Sequence, residues 1–116
     1  MKEEDSAFLQ FFGYSPPFRM IDFLLEHRLE DFTKTEIAKG ANLSWVSLYQ
    51  HWDEIEGKKI VKLTRTVGRA RLYQLNEKSA LVVLLKHIES TLIRDAADVA
   101  GEEAVMKVSA RAGRRK

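Results

Sequence analysis

Between residues 33 and 76 the chain gathers side chains suited to gripping a polyanion and reading hydrogen-bond patterns. Ser44, Trp45, Val46, Ser47, Tyr49 and Gln50 share one short amphipathic stretch. Glutamine can bond bidentately to adenine, serine to base edges or phosphates, and valine can meet a thymine methyl. Further on come Lys62, Arg65, Arg69 and Arg71. Guanidinium groups fork onto phosphates and fit narrow minor grooves. Thr33 and Lys34, just upstream, join the same contact set. The plain alternative for the first group is the wet face of a core helix. For the second it is a solubilising hairpin, although such hairpins normally mix charge signs.

Charge is unevenly spread. The chain of 116 residues has a net charge of +2, yet residues 1–57 carry five basic and eleven acidic groups. Residues 58–71 carry six cations and no acid: Lys58, Lys59, Lys62, Arg65, Arg69 and Arg71. Residues 72–106 are acidic again, and the last ten residues hold five cations. Concentrated basic blocks in an otherwise acidic chain point to an anionic partner docking at defined places.

Other chemistry is poorly represented. His27, His51 and His87 lack metal-ligand spacing, and no nucleophile elbow, phosphate-cradling glycine loop or carboxylate pair occurs. We expect no enzyme, no metal and no cofactor. Cysteine is absent, which removes disulfides and thiolate metal sites and is compatible with a reducing compartment. No apolar run approaches the roughly 20 residues of a membrane span, and no signal-peptide pattern opens the chain. A cytoplasmic, nucleoid-associated location is the expectation.

The elements that must position these residues follow from periodicity. Residues 1–15 read as a hydrophobic helical arm, capped by Asp5 and containing Phe8, Leu9, Phe11 and Phe12, which ends at Gly13 and Ser15-Pro16-Pro17. From Pro17 to about Leu29, Phe18, Ile21, Leu24 and Leu25 form a helical stripe; Met20 and Phe23 fall off it, predicting burial on more than one side. Thr33 and Glu36 form a capping box for a brief helix with Ile37, Ala38 and Ala41 inward. Gly40-Ala41-Asn42 stops it, Leu43 plugs the corner, and Ser44 caps a helix to Glu56 that buries Leu48, Trp52 and Ile55 and ends at Gly57.

The period then changes from 3.6 to 2. Val61 and Leu63 alternate with Lys62 and Thr64, and Tyr73 and Leu75 point inward from the return strand across a glycine turn at Gly68. Asn76 is expected to cap a long helix from about Glu77 to Ala100, within a segment spanning 77–106. Leu81, Leu85, Ile88, Leu92 and Val99 approach a heptad seam on it. Phe8, Phe11 and Phe12 together with Leu81, Leu85, Ile88 and Leu92 are the expected dimer surface. Residues 107–116 read as a disordered basic tail.

On these residues the chain resembles the winged helix-turn-helix transcriptional regulators, particularly the small dimeric archaeal and bacterial type. The likeness spans Pro17 to about Ile93. It rests on Glu36-Ile37-Ala38, on Leu43, Ser44, Leu48 and Tyr49, and on the segment from Val67 to Asn76. It implies a mainly α fold with a small β-hairpin, residues 16–76 forming the winged unit, followed by a long C-terminal helix. It further implies a homodimer on double-stranded DNA, with the helix over 44–56 in the major groove and the wing over 60–76 on the flanking backbone or minor groove. Here the second helix carries no arginine or lysine and ends in Asp53, Glu54 and Glu56. Two other readings stay open: a winged-helix protein-interaction module in a larger assembly, and a non-specific architectural DNA-binding protein.

Overall fold

A computed structural model describes the backbone of residues 6–113 and the side-chain surroundings of residues 6–101. Its elements run α1 (Ala7–Phe12), α2 (Pro16–Glu26), α3 (Lys34–Gly40), α4 (Trp45–Gly57), β1 (Val61–Val67), β2 (Ala70–Leu75) and α5 (Ala80–Gly113). The chain is mainly helical with one antiparallel hairpin, as its periodicity predicts.

Local chemistry sets most boundaries. Ser6, not Asp5, caps α1; Asp5 lies outside the described residues. The Ser6 hydroxyl accepts from Leu9 N at 3.0 Å and donates to the buried Asp22 carboxylate at 2.6 Å, so one cap ties α1 to α2. α2 starts on its prolines and stops at Glu26, short of the expected Leu29. Met20 is fully buried off the stripe, as expected. The Thr33–Glu36 capping box opens α3. Asn42, at φ 59°, closes it: Leu43 N bonds Ala38 O at 2.8 Å and Asn42 N bonds Lys39 O at 3.1 Å. Arg19 of α2 donates to the Asn42 carbonyl and steadies this turn.

Ser44 caps α4, which buries Leu48, Trp52 and Ile55. Gly57 is the last residue of that helix, as expected. The left-handed position falls on Lys59, at φ 61°, with Ile60 N bonded to Ile55 O at 3.1 Å. Two residues, Gly68 and Arg69, turn the hairpin between the paired Val67 and Ala70. Gly68 alone of the two has positive φ, 62°, the sign pattern of a type II′ turn.

Two features depart from an unbroken pleat. The register shifts between Leu63 and Arg65, a bulge at Thr64; Leu63, still in register opposite the buried Tyr73, is nonetheless exposed. Phe32, upstream of α3, exchanges backbone hydrogen bonds with Tyr73 at 2.7 and 2.8 Å, adding a one-residue third strand.

Asn76 does not cap α5. Its side chain accepts from Lys78 N at 3.3 Å and donates to the Lys59 carbonyl at 3.2 Å, while the Ser79 hydroxyl accepts from Val82 N at 3.4 Å. α5 therefore begins at Ala80 and continues to Gly113, a length of about 51 Å. Residues 107–113, expected as a disordered tail, are helical in backbone; residues 114–116 lie outside the description. Phe8, Met20, Leu24, Ile37, Leu48, Ile55, Leu75 and Val82 are the large side chains closed from solvent, and they join every helix to the hairpin base.

Candidate nucleic-acid interface

The N-terminal half of α4 presents Trp45, Val46, Tyr49 and Gln50 to solvent; Val46 is 63% exposed and Trp45 48%. Burying Leu48, Trp52 and Ile55 forces this face outward at 3.6-residue spacing. Trp45 and Tyr49 pack on each other with ring centroids 5.1 Å apart. Ser47 is half-buried rather than outward, and its carbonyl bonds the His51 ring at 2.9 Å. The Ser44 hydroxyl accepts from Ser47 N at 3.0 Å, so its first duty is the cap. The acids at the far end are partly engaged: Glu54 meets Lys58 at 3.4 Å, and Glu56 accepts from Trp52 Nε1 at 3.2 Å.

Thr33, Lys34, Trp45, Arg69 and Arg71 converge on one cleft of about 380 Å³, lined also by Tyr73. The cleft lies between the start of α3, the start of α4 and the wing. Thr33 is held by its capping box, donating its backbone N–H to Glu36 at 2.8 Å and accepting from Glu36 N at 3.2 Å. The Lys34 ammonium lies over three aromatic rings, 5.0 Å from Trp52, 5.4 Å from Tyr49 and 5.9 Å from Tyr73. Among the described residues, Lys34, Arg69 and Arg71 have no ion-pair partner.

Arg65 is placed differently. Its guanidinium donates to both Asp31 oxygens, at 2.9 and 3.2 Å, and the Thr64 hydroxyl donates to the same carboxylate at 2.6 Å. These bonds hold the Asp31 carboxyl below the ordinary aspartate range, with the arginine hydrogen bond the largest cause. Arg65 is therefore matched by an acid 34 positions upstream, beyond the basic block counted along the sequence. Lys62 is exposed on β1, paired in register with Gln74. Of the six cations of residues 58–71, Lys58 and Arg65 thus have carboxylate partners.

The expected dimer residues also separate. Phe8 and Leu85 are buried in this chain's own core, so they cannot face a partner. Phe12 is half-buried and stacks on Phe18 at 4.9 Å. Phe11, Phe12, Leu84, Ile88 and Leu92 line an open apolar groove of about 500 Å³ between α1 and α5. Phe11 is 67% and Leu84 59% exposed. Leu81 lines a different cavity, of about 290 Å³, with Phe18, Ile21 and Ile55. The residue that seats the start of α5 is Val82, absent from the seam expected by spacing. Among the described residues no helix is long and apolar enough to cross a membrane, and no cluster of His, Asp or Glu could hold a metal ion.

No protein-family model and no curated protein sequence matches the chain. Solved structures do. An apo variant of Lactococcus lactis ZitR superposes with a TM-score of 0.57 at 16% identity, over 84% of this chain and 74% of that one. MepR, a transcription regulator of the Staphylococcus aureus multidrug efflux pump MepA, gives 0.57 at 18% identity over 87% and 77%. Sso10a-2, a DNA-binding protein from Sulfolobus solfataricus, gives 0.50 at 15% identity over 78% and 92%. The chain has the winged-helix fold of these proteins, with a two-stranded wing and a long C-terminal helix.

Proposed function

We propose that this chain is a dimeric DNA-binding transcription regulator. In this reading α4 lies in the major groove with its N-terminal half toward the bases, and the wing rests on the flanking backbone or minor groove. One observation carries it: Lys34, Arg69 and Arg71 share a carboxylate-free cleft beside the exposed face of α4. An anionic backbone supplies the missing counter-charge, and Val46, Tyr49 and Gln50 lie next to it for base edges. The folds shared with ZitR and with the transcription regulator MepR, and the DNA binding of Sso10a-2, agree with this reading.

The groove lined by Phe11, Leu84, Ile88 and Leu92 supports pairing with a second copy, since α5 runs about 51 Å and outreaches its own small domain. Two recognition helices about one helical turn apart would then read a twofold half-site pair. The test is binding of genomic duplex fragments by the full chain, with mass read by light scattering. Bound duplex and dimer mass are expected, with Arg69→Ala plus Arg71→Ala lowering affinity and its salt dependence. Unchanged binding in that double variant refutes the wing assignment. The exposed acids Asp53 and Glu54 favour a second reading, a protein-interaction module for a basic partner. A monomer that shifts no duplex at low salt selects it.

A further inference from the structure

We propose that the cleft between α3, the start of α4 and β2 is a phosphate-binding pocket. Lys34 forms its floor, and Arg69 and Arg71 form its wing side. The inference deepens the DNA-binding reading and rests on it for the source of the phosphate, but not for the pocket itself.

The fold treats its cations in two ways. Lys58, Arg65 and Lys86 each face a carboxylate, at 3.4, 2.9 and 2.5 Å. Lys34 instead sits over the faces of Trp52, Tyr49 and Tyr73. Aromatic faces attract an ammonium through their quadrupole but carry no net charge, so they fix the group without cancelling it. A carboxylate in the same place would have removed its use to an anion. Lys34 is thus fixed in place and still positive toward the cavity it lines.

Arg69 and Arg71 line the same cavity from the turn and the start of β2, and no acid lines it. Three like charges brought to one concavity repel one another unless an anion joins them. Thr35 lines the cavity as well, and Trp45 adds an apolar wall. At about 380 Å³ the space exceeds a bare phosphate and admits an attached sugar against that wall. The chemistry recognised is a phosphate group bearing a sugar, either in a nucleic-acid backbone or in a free phosphorylated ligand.

Trp45 lines the pocket and Trp52 lies under Lys34, and the chain has 2 tryptophans, so both tryptophan fluorophores border the site. The full-length protein is titrated with inorganic phosphate and with a thymidine dinucleotide, against chloride at equal ionic strength. The salt dependence of duplex binding is measured beside it for wild type, Lys34→Met, Lys34→Arg and the surface variant Arg71→Gln. A saturable fluorescence change is expected, lost in Lys34→Met and kept in Lys34→Arg. Lys34→Met and Arg71→Gln should each flatten the plot of log K against log salt by about 0.9, the value of one phosphate contact. That equals a threefold to fourfold smaller loss of affinity between about 50 and 200 mM salt.

Reduced slopes assign the pocket to a backbone phosphate. Wild-type slopes with a saturable phosphate response assign it to a free phosphorylated ligand. Wild-type slopes without that response overturn the pocket while the DNA reading stands. A phosphate response in a chain that binds no duplex keeps the pocket and sinks the regulator reading. Absence of both overturns both.

Discussion

Replacing Gly40 with alanine tests how the recognition helix and wing are held together. A Cβ on Gly40 would lie 2.5 Å from Cδ1 and Cζ of Phe23 and closer still to Cε1, whereas ordinary contact begins near 3.4 Å. The ring must retreat by about 0.9 Å or more (3.4 minus 2.5). It has little room, because His27 and Phe32 lie against it with centroids 4.7 and 4.8 Å away. Overpacking of this kind costs about 1–3 kcal/mol. Alanine recovers at most about 0.8–1 kcal/mol of helix propensity, less at the last residue of α3. The net expectation is a loss of about 1–2 kcal/mol, or a Tm lower by roughly 4–8 °C at fixed protein concentration. Thermal unfolding of Gly40→Ala, Phe23→Leu and the double variant forms the assay. Phe23→Leu removes Cε1 and Cζ, so Gly40→Ala should cost clearly less in that background, a coupling of about 1 kcal/mol or more. Strict additivity, or a Gly40→Ala protein as stable as wild type, refutes the packing argument.

Asp31→Asn should release Arg65 from its pair while keeping an acceptor for Thr64. In the DNA-binding reading this adds one free cation to the wing, so the salt slope of duplex binding should steepen by about 0.9; an unchanged slope means Arg65 does not reach phosphate. Burial raises the pKa of Glu89 above the ordinary value of 4.5, and the charges of Asp22 and Glu26 raise it further while Arg28 opposes them. A raised folded-state pKa favours the fold fully below the ordinary value and loses that contribution as pH climbs through the raised one. Glu89→Gln should therefore raise Tm at pH 7, and the gain should fade toward pH 4.5; a gain equal at both values, or a loss at pH 7, contradicts the burial account. Ile88→Glu puts a charge into the groove beside Phe11 and Leu84. In the dimeric-regulator reading, light scattering should then report monomer mass and weakened duplex binding, and an unchanged dimer would move the interface elsewhere.

Legibility in the sequence followed the range of the interactions. The Thr33–Glu36 box, the Ser44 cap and the left-handed Asn42 are decided within three or four residues, and each is found where local chemistry puts it. Leu48, Trp52 and Ile55 follow from one helical period, Tyr73 and Leu75 from one pleat. The misses arise where distant partners decide. Thr64 and Arg65 are bound to Asp31 across more than 30 residues, and the strand register shifts beside them. Counting charge along the chain cannot see that neutralisation. The phase of α5 is set by what α1 and α2 offer it, so Val82 and Leu85 turn inward where a heptad count selects Leu81 and Leu85. Lys59 takes a left-handed backbone that glycine would adopt more readily, and no local signal marks it two residues beyond the helix end at Gly57.

The aromatic residues explain why the wing and α4 act as one surface. Phe23 under Gly40 touches Phe32, whose backbone bridges Tyr73 of the wing. The Tyr73 ring meets Trp52 of α4 edge-on at 4.8 Å, and both lie under the Lys34 ammonium. A shift of the wing relative to α4 must therefore break ring packing, a cation–π contact and a two-bond bridge together. This column fixes the base of the wing against α4, while Arg69 and Arg71 lie nearer the exposed tip. In the DNA-binding reading, a fixed wing base lowers the ordering cost of binding, because the wing need not be docked on α4 when DNA arrives. Neighbouring side chains, in that same reading, then do distinct work. Lys34, Arg69 and Arg71 supply charge on one cleft, and Val46 and Gln50, exposed and free of that column, are the positions where substitution should alter the preferred sequence while the fold stays intact.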